Sequence, residues 1–372
     1  MSSTKAKSFL GMLYPFLSIF LVSFYSTTAT FAQTEAIPSL ETPFEGIDVP
    51  FEQFPHNVQS CGTYVSASGT AICVPPDAFV DKSGNVIQGD VLILFRDFHS
   101  PMDILLSGIP MEYRVNGKAY QLESAGMFEI WAIYQGALAG IAPTQEIQIN
   151  SPSYRDLENV EFFQFDWSKK RWDKEINLFS STPAKPLVEV SDEGGDVWGE
   201  FEGSNNDDWN DDWNGDWDGE WMEGDWTAED TAWHEISKFA EQVRNAVGIS
   251  EFGLYNYDRI LKMDERVQII ANFDMGVDLK EVLAVQVYVV YEDINTVYSF
   301  PQYDWKERFY LLDGHNAKMF AILPDNKLSV FPRYELESMD LQSLDGQAFT
   351  FLMEKAQEAE SADAIKNLLN IY

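Results

Sequence analysis

The sequence predicts a mainly β protein: two β-sandwich-like domains joined by an acidic Trp/Gly-rich linker, with a helix opening and a helix closing the second domain. Three observations carry this expectation. Short apolar or alternating spans recur along the 372 residues, broken by Gly, Asn, Ser and Pro clusters, as strands and turns require. From Glu189 to Ala232 seventeen residues are Asp or Glu and none is Lys or Arg, so this stretch cannot bury enough apolar area to offset the entropy of ordering itself. The blocks on either side are each long enough for a core of their own. The expected division is a leader over 1–32, a sandwich over 33–188, the linker over 189–232 and a β-rich domain over 233–372.

The leader is read from Lys5 and Lys7, the apolar run from Phe9 to Phe24, and the small-residue exit Thr30-Phe31-Ala32. That order is a secretory signal peptide with cleavage expected after Ala32. Pro15 and Ser18 interrupt the run, which argues against a membrane anchor. Later apolar segments are too short or too interrupted to span a bilayer, so no membrane span is expected after the leader.

In the first block, strands are expected at 70–74, 91–95, 113–115, 119–122, 127–134, 147–149, 160–165 and 187–190. The separators have turn chemistry, and Asn116-Gly117 between two strands is a two-residue hairpin signature. No helix-period stretch of useful length is found there.

The run Gly69-Thr70-Ala71-Ile72-Cys73-Val74-Pro75-Pro76-Asp77-Ala78-Phe79-Val80-Asp81, followed by Gly84-Asn85-Val86-Ile87-Gln88-Gly89 and a strand, resembles the start of a ZU5-type β-sandwich. Together with Phe95-Arg96-Asp97-Phe98-His99-Ser100-Pro101-Met102-Asp103-Ile104 and Ser107-Gly108-Ile109-Pro110-Met111, it is similar to a module of exported Bacteroidetes proteins over residues 60–135. The resemblance implies fold and export. It brings no catalytic residues with it.

The second block is expected to open with a helix, because Trp233, Ile236, Phe239, Ala240, Val243 and Val247 recur at three- and four-residue spacing. Strands follow at 252–255, 267–273, 282–291, 296–300, 309–312, 318–323, 327–331 and 347–353, and residues 361–372 read as a closing helix with Ile365, Leu368 and Leu369 on one face. Phe252-Gly253-Leu254-Tyr255-Asn256-Tyr257 and Pro324-Asp325-Asn326-Lys327 resemble a C-terminal module of the same broad set of exported proteins.

A formal net charge of −35 repels nucleic acid phosphates and anionic headgroups. Basic surfaces and cations are the expected partners. Trp198, Trp209, Trp213, Trp217, Trp221 and Trp226 punctuate the acidic segment, and a spacer selected for solubility alone has no use for them. Asn214, Asp216 and Asp218 fall at positions 1, 3 and 5 of an EF-hand-like loop, with Gly219 at position 6 and Asp225 at position 12, which makes calcium the one cofactor candidate.

Within the folded blocks the densest polar group is Arg96, Asp97, His99 and Asp103. Such a set could do acid–base work, but a strand end before a Ser-Pro turn more often keeps Arg and Asp as an ion pair with His in the turn. His56, His99, His234 and His315 show no zinc spacing. Tyr303 and Trp305 are candidate sugar-binding aromatics or packing residues. Cys61 and Cys73 flank a turn near Ala67 and Ser68, so a disulfide is expected in an oxidising compartment. The expected role is a non-enzymatic binding or structural module of the periplasm or cell surface, with a protein partner in the envelope. The alternatives are a calcium-responsive adhesion or assembly protein and a secreted hydrolase using carboxylates such as Asp97 and Asp103.

Overall fold

The computed structural model describes residues 36–152, 159–174, 243–261, 266–277 and 285–371. Upstream of the acidic segment lie β1 (Glu52–Asn57), β2 (Gly62–Val65), β3 (Ala71–Val74), β4 (Phe79–Val80), β5 (Asp90–Phe98), α1 (Pro101–Ser107), β6 (Glu112–Val115), β7 (Lys118–Tyr134), β8 (Ala137–Leu138), β9 (Gly140–Ile141), β10 (Ile147–Pro152), β11 (Glu161–Asp166) and β12 (Arg171–Lys174). Downstream are β13 (Val243–Ile249), β14 (Gly253–Ile260), β15 (Arg266–Gln268), β16 (Ile270–Asp274), β17 (Gln286–Tyr291), β18 (Thr296–Pro301), β19 (Tyr310–Leu312), β20 (Ala317–Leu323), β21 (Lys327–Val330), α2 (Arg333–Ser338), β22 (Ala348–Leu352), β23 (Gln357–Glu358) and α3 (Ala362–Leu369).

The protein is mainly β and sandwich-like. An eight-stranded sheet runs β1-β5-β7-β14-β11-β12, with β6 and β8 also paired to β7, and a four-stranded sheet runs β13-β10-β3-β2. Between them Ile72, Ile149 and Ile249 meet Ile93, Phe128, Phe162 and Tyr255 in one core. The opposite face of the large sheet is also covered: Phe98, Met127 and Leu254 pack with Met102 and Leu105 of α1, Phe44, Tyr288, Phe320 and Ile365. Burial on both faces explains why β5 reads as a continuous apolar run over Val91–Phe95 rather than an alternating one.

The five-stranded sheet β18-β17-β20-β21-β23 is divided by the same period of two. Tyr288, Val290, Phe320 and Ile322 face the α1 side, and Val287, Val289, Met319 and Ala321 face a third core with Phe273, Phe309 and Phe351. The resulting stack is sheet, core, sheet, core, sheet, core.

Two expectations are corrected. The division at residue 233 does not match the pairing, because β13 joins β10 and β14 inserts between β7 and β11. Residues 243–260 thus complete the upstream sandwich. The expected opening helix ends in strand: Val243–Ile249 is β13, and Val247 and Ile249 point inward by alternation. The Val243/Val247 spacing fits both periods, and pairing with β10 decides between them. Trp233 to Gln242, the leader and strand 187–190 lie outside the described residues.

Local chemistry accounts for much of the rest. Asn116 and Gly117 have φ of 51° and 77° and join Val115 to its partner Lys118, a two-residue hairpin as expected. The short helix α1 was not expected, yet Ser100 and Asp103 form a capping box, Pro101 leads its first turn and Gly108 ends it in the left-handed region. A Cβ at Gly108 would lie 2.3 Å from the Glu41 carbonyl oxygen, so glycine also admits the N-terminal segment there. The closing helix is present as α3, capped by Ser361.

Candidate functional site

The sequence-predicted constellation separates along β5, because neighbouring strand residues face opposite sides of the sheet. Arg96 faces the α1 side. Its Nε donates to Glu129 Oε2 at 2.8 Å, and its Nη1 donates to Asp48 Oδ2 and the Val49 carbonyl, each at 2.7 Å. The guanidinium lies 4.3 Å from the Phe51 ring centroid. Glu129 is 1 % exposed, and Trp131 Nε1 donates to its other oxygen at 2.7 Å. Burial pushes the Glu129 carboxyl up, and the Arg96 charge opposes the shift without cancelling it. The expected Arg96–Asp97 ion pair is therefore replaced by an Arg96–Glu129–Asp48 clamp that holds the N-terminal segment on the sheet.

Asp97 points the other way, into the end of the sandwich. Its Oδ2 accepts from Ser66 Oγ at 3.1 Å, Thr70 Oγ1 at 3.0 Å and Ser68 Oγ, and His99 Nε2 lies 3.1 Å away. Burial works to raise the Asp97 carboxyl, but the hydrogen bond and charge of His99, with the Ser68 and Thr70 hydroxyls, hold it below the usual carboxylate range. A nucleophilic triad needs the imidazole between hydroxyl and carboxylate. Here the carboxylate is in the middle, so the set ties the 66–70 turn to β5 rather than activating a serine. Asp103 has separate partners, accepting from Ser100 N at 3.0 Å and His99 N at 3.2 Å. Asp97 and Asp103 both contact His99, one at its ring and one at its backbone N–H, but each carboxylate is taken up by its own turn or cap donors, and they do not form the paired acids of the hydrolase expectation.

A further buried acid was not anticipated. Asp258 on β14 is 0 % exposed, and Asn256 Nδ2 donates to its Oδ2. Burial pushes its carboxyl far above the usual range, outweighing the Asn256 and Ser124 hydrogen bonds, and Glu123 adds to the rise.

The remaining candidates are scattered. Cys61 and Cys73 are both free thiols. The hairpin register sets Thr63, not Cys61, opposite Cys73, which leaves the cysteines diagonal rather than facing. His56 Nδ1 meets the Tyr64 hydroxyl at 2.9 Å, and His315 Nδ1 meets Asp293 Oδ2 at 2.6 Å. No cluster of His, Cys, Asp and Glu suited to a metal occurs among the described residues. The calcium-loop candidates Asn214, Asp216, Asp218 and Asp225 lie outside them, as does His234.

Tyr303 and Trp305 divide between the two roles foreseen. Trp305 is 4 % exposed and donates Nε1 to the Phe300 carbonyl at 2.9 Å, so it is a core residue. Tyr303 is 78 % exposed and stands on a cleft of about 1270 Å³. The cleft lies between the β6–β7 hairpin on one side and β15, β18, β19 and the 302–308 turn on the other.

Three of the nine arginines of the chain, Arg114, Arg266 and Arg308, line this cleft, and among the described residues no lysine does. Arg114 is paired with Glu112, and Arg308 Nη1 lies 3.3 Å from Asp304 Oδ1. Arg266 instead stacks on Tyr310, with its guanidinium carbon 4.7 Å from the ring centroid. Tyr310 is fixed in turn by edge-on contacts with Tyr298 and Phe300, each at 5.3 Å and 89°. Apolar residues behind the wall, including Met111, Val285 and Val297, are buried, so arginine, amide, carboxylate and tyrosine groups face the solvent. Sequence reasoning flagged only Tyr303. The arginines come from segments far apart in the chain.

Compared with known proteins, the chain matches no protein-family model and no curated protein. No helix among the described residues is long and apolar enough to cross a membrane.

Proposed function

We propose that this protein is an exported, non-enzymatic binding module of the cell envelope, in which a ZU5-like sandwich carries the cleft between the β6–β7 hairpin and the downstream strands. The observation that carries the reading is the cleft itself: concave, polar and aromatic, with Arg266 already stacked on Tyr310 and Tyr303 exposed at the wall. A concave site with a few oriented polar groups and aromatic surface is the common form of a ligand site. A binding role rather than a hydrolytic one is supported by the state of the acids. Of the four described acids on the cleft, Glu112, Asp304 and Asp345 are held by Arg114, Arg308 and the Gln268 backbone N–H respectively, which leaves Glu307 with no free acid to pair with. Export is supported by the Lys5 to Ala32 leader pattern. The acidic segment 189–232 provides a second contact, to a basic surface on an envelope protein, through its repeated Trp and carboxylate groups.

The test is retention of the purified protein on a washed envelope fraction. Wild-type protein is expected to be retained, and the combined Arg114→Ala, Arg266→Ala and Tyr303→Ala variant to lose most of that retention while keeping its melting transition. Equal retention of the two would put the binding surface elsewhere and reject the cleft.

A further inference from the structure

We propose that the ligand of the cleft is a carboxylate-bearing oligosaccharide, a uronate chain whose acid group docks on Arg266 and whose sugar rings run along Tyr303. This inference rests on the cleft being the binding surface.

The anchor is Arg266. Among the described residues Arg114 and Arg308 have carboxylate partners, and Arg266 has none within ion-pair distance. Its guanidinium carbon nevertheless lies over the Tyr310 ring, 4.7 Å from the centroid. A flat guanidinium already resting on a ring is suited to a bidentate carboxylate, and less ordering entropy is lost on binding. That the described cationic groups of the cleft are arginines favours a planar acid over a diffuse negative surface. The net charge of −35 does not prevent this, because charges beyond ~8 Å are largely screened at physiological salt.

The sugar is argued from the wall. Tyr303 offers a ring face to solvent at 78 % exposure, and the C–H face of a pyranose can cover an aromatic ring while its hydroxyls stay polar. Gln268, Gln286, Gln302 and Ser299 line the same cleft and combine donors with acceptors, as neighbouring sugar hydroxyls do. A peptide is the less suitable occupant. Its side chains would need apolar pockets, whereas Met111, Val285 and Val297 are 2 %, 1 % and 8 % exposed and present little apolar surface.

The experiment is calorimetric titration of the purified protein with hexagalacturonate, with hexamannuronate, with the hexagalacturonate whose carboxylates are reduced to alcohols, and with poly-L-glutamate. At least one uronate is expected to bind, and the reduced chain to bind about ten-fold more weakly. Arg266→Ala should erase the difference between acid and reduced chains, and Tyr303→Ala should weaken both alike. Both side chains are exposed, so an unchanged melting transition is the control for folding. Equal affinity for acid and reduced chains, a preference that survives Arg266→Ala, or tighter binding of poly-L-glutamate than of either uronate would overturn the proposal. Cleft-dependent retention on envelope without a uronate preference rejects only this inference. Loss of cleft dependence in the retention experiment rejects the binding reading beneath it.

Discussion

The interior of the large sheet and the wall of the cleft use the same kinds of charged side chain in opposite ways. On the sheet, the Arg96 guanidinium meets two carboxylates and a carbonyl, and one oxygen of Asp97 meets three hydroxyls and an imidazole. In the cleft, Arg266 lies over an aromatic ring and its side chain is exposed. Burial forces saturation, because an unpaired charge away from water is costly. A charge that is positioned and has no carboxylate partner among the described residues is available to a ligand. The densest polar cluster in the sequence is therefore scaffold, and the sparser one is the candidate site.

The comparison can be broken most sharply at Arg96. Arg96→Ala leaves Glu129 buried without its counter-charge and should cost about 3–5 kcal/mol in denaturant unfolding. A loss below about 1 kcal/mol would show that the clamp does not hold the N-terminal segment. Replacing Arg96 and Glu129 together with Met and Leu should recover most of the loss.

Asp97 and Asp258 come next, with opposite signs. The folded Asp97 carboxyl lies below its ordinary value, so its contribution is fully present above about pH 4 and is lost as pH falls through the folded pKa. Asp97→Asn should lower stability at pH 7 by about 2 kcal/mol and flatten the acid limb of the stability curve. Asp258 is raised, so the folded protein keeps a proton that the unfolded chain has released. Stability from this group is greatest below about pH 4 and declines as pH rises toward the folded pKa. Asp258→Asn, which can still accept from Asn256, should stabilise the protein by about 1–2 kcal/mol at pH 7 and by less at pH 4. Parallel pH–stability curves for wild type and this variant would remove Asp258 from the account.

The smallest effect on stability is expected in the cleft. Arg266→Ala and Tyr303→Ala should each change unfolding free energy by no more than about 0.5 kcal/mol, as exposed substitutions do. A larger loss for Arg266→Ala would mean that the Tyr310 stack is structural after all.

How much of this was legible in the sequence depends on range. Strands such as 286–291 and 317–323 declared themselves because they are short, nearly unbroken apolar runs, as burial on both faces requires. The Asn116-Gly117 turn was legible because few residue pairs accept two positive φ values. Edge strand β1 was hidden by Pro55, which an edge tolerates. The insertion of β14 between β7 and β11 was not legible, since nothing local in Gly253–Ile260 names partners about 130 residues upstream. The Arg96 partners were missed for the same reason. Arg266 differs from Arg114 and Arg308 only in which carboxylates the fold brings near it, and composition cannot express that.

The placement of β13 and β14 also governs how the molecule comes into being and how it comes apart. Both sheets of the upstream sandwich wait for residues 243–260, so a chain emerging from a ribosome cannot close them until the whole acidic segment has been made. Once closed, the pairing works in reverse as a lock. Cutting the polypeptide inside 189–232 would leave two pieces knitted through a common sheet, and the severed protein would behave as a reconstituted whole rather than as two fragments.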